Sequence, residues 1–159
     1  MAMHLVQDWR AFRSLTADRR LLIAEALVLT GLIWLGLRIV SFANLRRTLD
    51  ACSKRVLPGS QTPPTAISWA VHAATRRFPV KRTCLVEALA ADVMLRRRQH
   101  DSALRLGVRK TDDRRRPLDG HAWVECDGII VVGDLENLAE YTEGAWSSAA
   151  QASTLTGKT

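Results

Sequence analysis

The chain has 159 residues, enough for one domain with a substantial core and too few for two comfortable ones. A formal charge of +7 and a pI near 10.2 point to an anionic partner, such as nucleic acid, lipid head groups or an acidic peptide. The three cysteines cannot all pair within the chain, and no secretory signal is legible. Both features argue against a disulfide framework, and a reducing cytoplasm fits best. Cys52, Cys84 and Cys126 also lack the paired spacing of a zinc site, so no metal is expected.

The first third reads as helix. Residues 17 to 50 contain no proline, and Thr16 with Asp18 offers a start that is acidic in its first turn. The stretch 21–40 is apolar nearly all round and is long enough to span a bilayer. Glu25 and Arg38 lie within it, and Arg19, Arg20, Arg46 and Arg47 flank both ends, so no inside or outside emerges. Burial among other helices or cover by a partner protein fits this pattern better. Membrane association through 21–40 stays open as an alternative.

Pro58, Gly59, Pro63 and Pro64 form a breaker cluster and the clearest internal boundary. Thr62 then reads as an N-cap with Pro63 at the first helical position. The helix that follows carries Ile67, Ala70, Val71 and Ala74 on one face and should stop before Pro79. His72 lies in it without an acid at helical spacing and reads as a core or surface residue.

Thr83 caps the next helix, which puts Cys84 in its first turn. Unpaired backbone N–H groups and the positive end of the helix dipole favour a thiolate there, as would Lys81 and Arg82. A buried structural cysteine is the simpler reading, but it suits the other two better: Cys52 lies at a basic helix end, and Cys126 on the hairpin face opposite His121. Arg96 to Arg98 close the helix with charge suited to the negative end of its dipole. Residues 103–109 alternate as a strand, and 110–120 is a polar loop. From Arg96 to Arg116 nine Lys or Arg face only Asp101, Asp112 and Asp113. Such a run is usually solvated surface, and without interleaved aromatics it does not describe a nucleic-acid groove.

Two runs rich in β-branched residues flank Asp127-Gly128, the strongest short-range hairpin signal. A two-residue turn sets Cys126 opposite Ile129, Glu125 opposite Ile130, Val124 opposite Val131, and so outward to His121 opposite Asp134. Directly opposed residues have Cβ atoms about 5 Å apart, within reach of an imidazole–carboxylate bond. A histidine held by an acid makes up two members of a nucleophilic triad, although such a pair at the open end of a hairpin is also a common surface feature. Leu135 to Gly144 reads as one short helix, and 145–159 as a disordered tail.

Three motifs follow in order: Arg82-Thr83-Cys84-Leu85-Val86-Glu87-Ala88-Leu89, then Leu104-Arg105-Leu106-Gly107-Val108, then Gly120-His121-Ala122-Trp123-Val124-Glu125 with Asp127-Gly128. Together they resemble the transglutaminase-like leader peptidases of lasso peptide biosynthesis, the B-protein family in its split form. The likeness covers about residues 65 to 138, and Gly120 stands where that family often has alanine. It implies an α+β fold: an N-terminal helical region (1–60), a transglutaminase-like cysteine peptidase core (61–144) whose Cys-bearing helix packs on a small antiparallel sheet carrying His and Asp, and a tail.

It further implies Cys84 as nucleophile, His121 as general base and then acid, and Asp134 as orienting acid, with no cofactor and no metal. The partners implied are a precursor peptide, a separate leader-recognition protein and a lasso cyclase, since the winged-helix leader-binding domain of fused members is not legible here. Nucleic acid is not expected. The backbone N–H of Cys84 is one oxyanion donor; Trp123 is a weak candidate for the second, because its side chain should pack on the sheet. An acyltransferase using the same triad, or a non-catalytic basic module bound to lipid or nucleic acid, are the competing readings.

Overall fold

The computed structural model describes residues 16–56, 62–77, 83–112 and 117–143. Among the described residues four helices precede a small antiparallel sheet: α1 (Ala17–Ile39), α2 (Phe42–Ser53), α3 (Pro64–Arg77) and α4 (Cys84–Arg96), then β1 (Ser102–Lys110), β2 (Leu118–Cys126), β3 (Ile129–Val132) and the two-residue β4 (Thr142–Glu143). The sheet order is β3-β2-β1-β4, with every pairing antiparallel. The architecture is mixed α+β, as expected.

The apolar first third is two helices rather than one. Val40 turns extended, and Ser41 caps α2 by accepting a hydrogen bond from the Asn44 amide. Gly36 lies under Leu45 at this fold-back: a Cβ there would lie 2.8 Å from Leu45 Cδ1. This bend depends on a contact between helices, which periodicity within either one cannot reveal. Helix α3 begins at Pro64, one residue later than the Thr62 cap implies, with the Ala66 and Ile67 amides donating to the Pro63 carbonyl.

Helix α4 is the centre of the molecule. Ala88 to Ala91 and Val93 to Leu95 are all buried, with α1 and α3 against it on one side and the sheet on the other. An all-round apolar helix is stable only when covered on every side. Leu89 is fully buried, and Leu89→Ala is expected to lower the unfolding free energy by about 3 kcal/mol, from lost transfer energy and the cavity left behind. Urea denaturation at constant m-value measures it.

Asp92 lies inside this apolar helix, 1% exposed, and binds Arg46 (3.0 Å) and Ser102 Oγ (2.9 Å), with Arg96 at 3.7 Å. Burial nevertheless raises its carboxyl above the ordinary value of 3.8. The folded state then holds the extra proton between 3.8 and the raised value, so Asp92's contribution to stability falls as pH rises through that interval. Glu25 of α1 binds Arg97 (2.9 Å) and Arg98 (2.6 Å) and ties α1 to the far end of α4.

Helix α1 is long and apolar enough to cross a membrane by length and composition alone. Leu22, Ile23, Ala26 and Ile33 form its buried face, whereas Leu21, Val28, Leu32, Leu35 and Ile39 are exposed.

The hairpin turn forms as the sequence demands: Asp127 and Gly128 both have positive φ (52° and 77°), as a type I′ turn requires. Cys126 opposes Ile129 and Glu125 opposes Ile130, but a bulge follows and Val124 opposes Val132 rather than Val131. The pairing of His121 with Asp134 expected from a regular ladder is therefore corrected. One extra residue enters the β3 side, and β3 ends at Val132 before either residue is reached.

Candidate active site

Cys84 opens α4 beneath the Thr83 cap, whose hydroxyl accepts from the Val86 amide at 3.3 Å. One donor of the first turn is thereby satisfied, and the remaining free N–H groups keep a positive field at the thiol. Cys84 is half-buried, and its Sγ lies 3.9 Å from the carbonyl oxygen of Gly120, the residue before His121. Lys81 and Arg82, expected to add to this field, lie outside the described residues.

Cys84 and His121 line one cleft of about 450 Å³. Its other walls are nearly all apolar, with Phe42 from α2, Leu85 beside the cysteine, and Leu106, Val108 and Ala122 from β1 and β2. A larger cleft of about 580 Å³ lies around Arg46, Asp50, Arg96 and His100, and no cysteine lines it.

The imidazole is held by backbone. Its Nε2 is 2.7 Å from the Gly133 carbonyl oxygen, and a carbonyl can only accept, so Nε2 carries the proton and Nδ1 keeps the basic lone pair. The ring stacks with Trp123 (6.2 Å between centroids, 14° between planes) and meets Tyr141 at 5.5 Å. Gly133 has φ of 83°, and a Cβ there would lie 2.6 Å from the Ala122 carbonyl oxygen and 2.8 Å from Trp123 Cα. Only glycine allows this crossing, by which the chain leaving β3 brings its carbonyl beneath His121.

Cys84 and His121 thus share a cleft. Among the described residues no hydrogen bond joins the two, and no hydrogen bond or ion pair joins His121 to Asp134, which is exposed. Trp123 is buried and donates its indole N–H to Glu125 at 3.1 Å, so it is engaged away from an oxyanion position. Cys126 is buried against the core, and burial followed by the neighbouring Asp127 raises its thiol above the ordinary range, the reverse of what a nucleophile needs. Cys52 is exposed on α2.

Two residues near His121, Asp119 and Tyr141, were not singled out from the sequence. Asp119 accepts from the Tyr141 hydroxyl (2.7 Å) and from Arg109 Nε (3.2 Å), and these two bonds hold its carboxyl below the ordinary range. Tyr141 is pushed up in turn by Asp119. Asp119 precedes His121 by two residues on β2 and so shares its face, a relation the strand period could have revealed. Tyr141 comes from beyond the hairpin and had no such marker. His72, without a local acid, does find one in space, its Nδ1 lying 3.3 Å from Glu87 Oε1. Among the described residues no group of three His, Cys, Asp or Glu side chains is arranged to hold a metal ion.

Comparison with known families matches the chain to the model described as the transglutaminase-like superfamily, over residues 26–145. No curated protein and no solved structure matches.

Proposed function

The chain belongs to the transglutaminase-like superfamily, and from that premise we propose that it is a cysteine peptidase that removes the leader from a ribosomally made lasso precursor. The observation that carries this reading is the shared cleft of Cys84 and His121, with the cysteine at a capped helix start and the imidazole tautomer fixed by the Gly133 carbonyl. The superfamily supplies the cysteine-based fold; the motifs around Cys84, Leu104–Val108 and His121 supply the resemblance to lasso leader peptidases.

In the proposed reaction His121 Nδ1 takes the Cys84 proton, and the thiolate attacks the carbonyl carbon of the leader–core peptide bond. Negative charge gathers on the carbonyl oxygen, where the Cys84 backbone N–H is the donor at hand. The tetrahedral species collapses as His121 returns its proton to the leaving amine, which is the new core N-terminus. The leader remains as a thioester on Cys84. Water, deprotonated by His121, then hydrolyses the thioester and frees the leader acid. Catalytic hydrogen bonds are commonly loose before substrate binds, which accommodates the absence of a Cys84–His121 bond in the free protein. Asp134 is proposed as an electrostatic aid to the imidazolium, with the orienting bond made by Gly133.

The reading includes a separate leader-recognition protein and a cyclase as partners. Supporting this, the exposed side of α1 carries Leu21, Val28, Leu32, Leu35 and Ile39 as one apolar stripe, with Leu32 60% exposed, while its opposite side is committed to the core. A soluble domain rarely leaves such a stripe uncovered.

The test is cleavage of a full precursor by the purified chain with and without the leader-binding protein. The partner is expected to raise the rate by roughly two orders of magnitude, the scale that tethering a substrate gives. Polar substitutions at Leu32 and Leu35 should reduce that gain. An equal rate without the partner overturns the partner reading. Transfer of the thioester to an added amine in preference to water overturns the peptidase reading in favour of acyl transfer.

A further inference from the structure

Beyond Gly133 and Asp134, the segment after β3 takes no part in the reaction as written above, yet it closes on the imidazole. Tyr141 is its one buried residue between 134 and 143. Its ring lies 5.5 Å from His121 and is tilted by 49°, while Trp123 stacks with the same imidazole. The Tyr141 hydroxyl donates to Asp119 Oδ2 at 2.7 Å, and Arg109 Nε donates to the same oxygen at 3.2 Å. Arg109 also lies over the Tyr141 ring, 5.1 Å from its centroid, and reaches Glu140 at 2.8 Å.

Room for this cluster comes from Gly107, the residue opposite His121 on β1. A Cβ at Gly107 would lie 2.9 Å from the Trp123 ring and 2.9 Å from Tyr141 Cβ. β1, β2 and the β4 segment therefore all converge on one side chain, and the ladder gives up a Cβ to let them.

We propose that Tyr141, held by Asp119 and Arg109, is a positioning residue that fixes the plane of the His121 imidazole. Its ring limits rotation of the imidazole, so that Nε2–H stays on the Gly133 carbonyl and Nδ1 stays available to the thiol. Asp119 and Arg109 act through the tyrosine: one anchors its hydroxyl, and the other anchors that carboxylate and covers the ring. The inference rests on reading His121 as the base, but its physical content, a held imidazole, is independent of any substrate.

The experiment uses the full chain with 15N-labelled histidine and follows the Nε2–H resonance of His121, assigned by its loss in His121→Gln. Alkylation of Cys84 by iodoacetamide and kcat and KM on a precursor peptide are measured alongside. In Tyr141→Ala the Nε2–H proton should exchange with water at least about tenfold faster, as local opening is no longer opposed. Its kcat should fall roughly thirty- to hundredfold with KM within about threefold, the cost of a misplaced catalytic group. Tyr141→Phe keeps the ring and should recover most of both, staying within about fivefold of wild type, since a single net hydrogen bond is worth about 1 kcal/mol.

Gly107→Ala presses on Trp123 and Tyr141 from the other side and should speed the same exchange; it decides the matter if Tyr141→Ala does not fold. Unchanged exchange together with unchanged Cys84 alkylation in Tyr141→Ala, or in Gly107→Ala in its place, overturns the proposal. Failure of the wild-type chain to cleave any precursor would count against the peptidase reading, while the exchange measurement would still decide whether Tyr141 holds the ring.

Discussion

Cys84→Ala is expected to abolish leader removal, with kcat falling by at least about three orders of magnitude, because no other group can form the acyl intermediate. His121→Ala should fall as far, since residues acting as one unit do not lose activity additively. Cys52→Ala and Cys126→Ala serve as internal controls and should stay within a few-fold. Cys52 is exposed on α2, and the Cys126 thiol is both buried and raised by that burial. Asp134→Asn should cost no more than about tenfold, because the orienting bond comes from the Gly133 carbonyl, which that substitution leaves in place. Single-turnover cleavage of precursor, with mass spectrometry for the thioester, measures the series. Equal loss at Cys126 and Cys84 would sink the assignment of the nucleophile.

Gly133→Ala should be the most damaging conservative change outside the reacting groups. Its φ of 83° disfavours any L side chain, and the new Cβ would meet backbone atoms of Ala122 and Trp123, which cannot swing aside as the tip of a side chain can. Left-handed strain and overpacking each cost about 1–3 kcal/mol, so roughly 3–5 kcal/mol of stability should be lost. Any variant that folds must move the 133 carbonyl away from His121 Nε2, now 2.7 Å distant, and kcat should drop by about a hundredfold for the displaced imidazole. Thermal unfolding and the kcat of the folded fraction separate the two effects. A Gly133→Ala protein with wild-type Tm and kcat would show that neither the crossing nor the carbonyl bond matters.

Asp134 explains why part of the site was legible in sequence and part was not. Local chemistry names the turn at Asp127-Gly128 and the first two pairs beside it, because φ > 0 at both positions is a demand on residue type. It also names the Thr83 cap and so brings Cys84 to a helix start, since a cap satisfies its own neighbours. A ladder counted outward from a turn assumes that no residue is inserted. The bulge before Glu125 violates that assumption, and the partner of His121 changes from a carboxylate side chain to the carbonyl of Gly133.

The α+β class, the helix that follows Pro63, the Cys84-led helix and the hairpin with His121 were thus written in residue type and period, which act over a few residues. The bend at Val40–Ser41, the bulge, the Gly133 carbonyl under the imidazole and the Tyr141–Asp119 cluster were decided by tertiary packing. Leu45 packs over Gly36 where α2 folds back on α1, and the crossing at Gly133 delivers the carbonyl. Each needs two segments distant in sequence to approach within a side chain's width, and a pattern confined to one segment carries no record of the other.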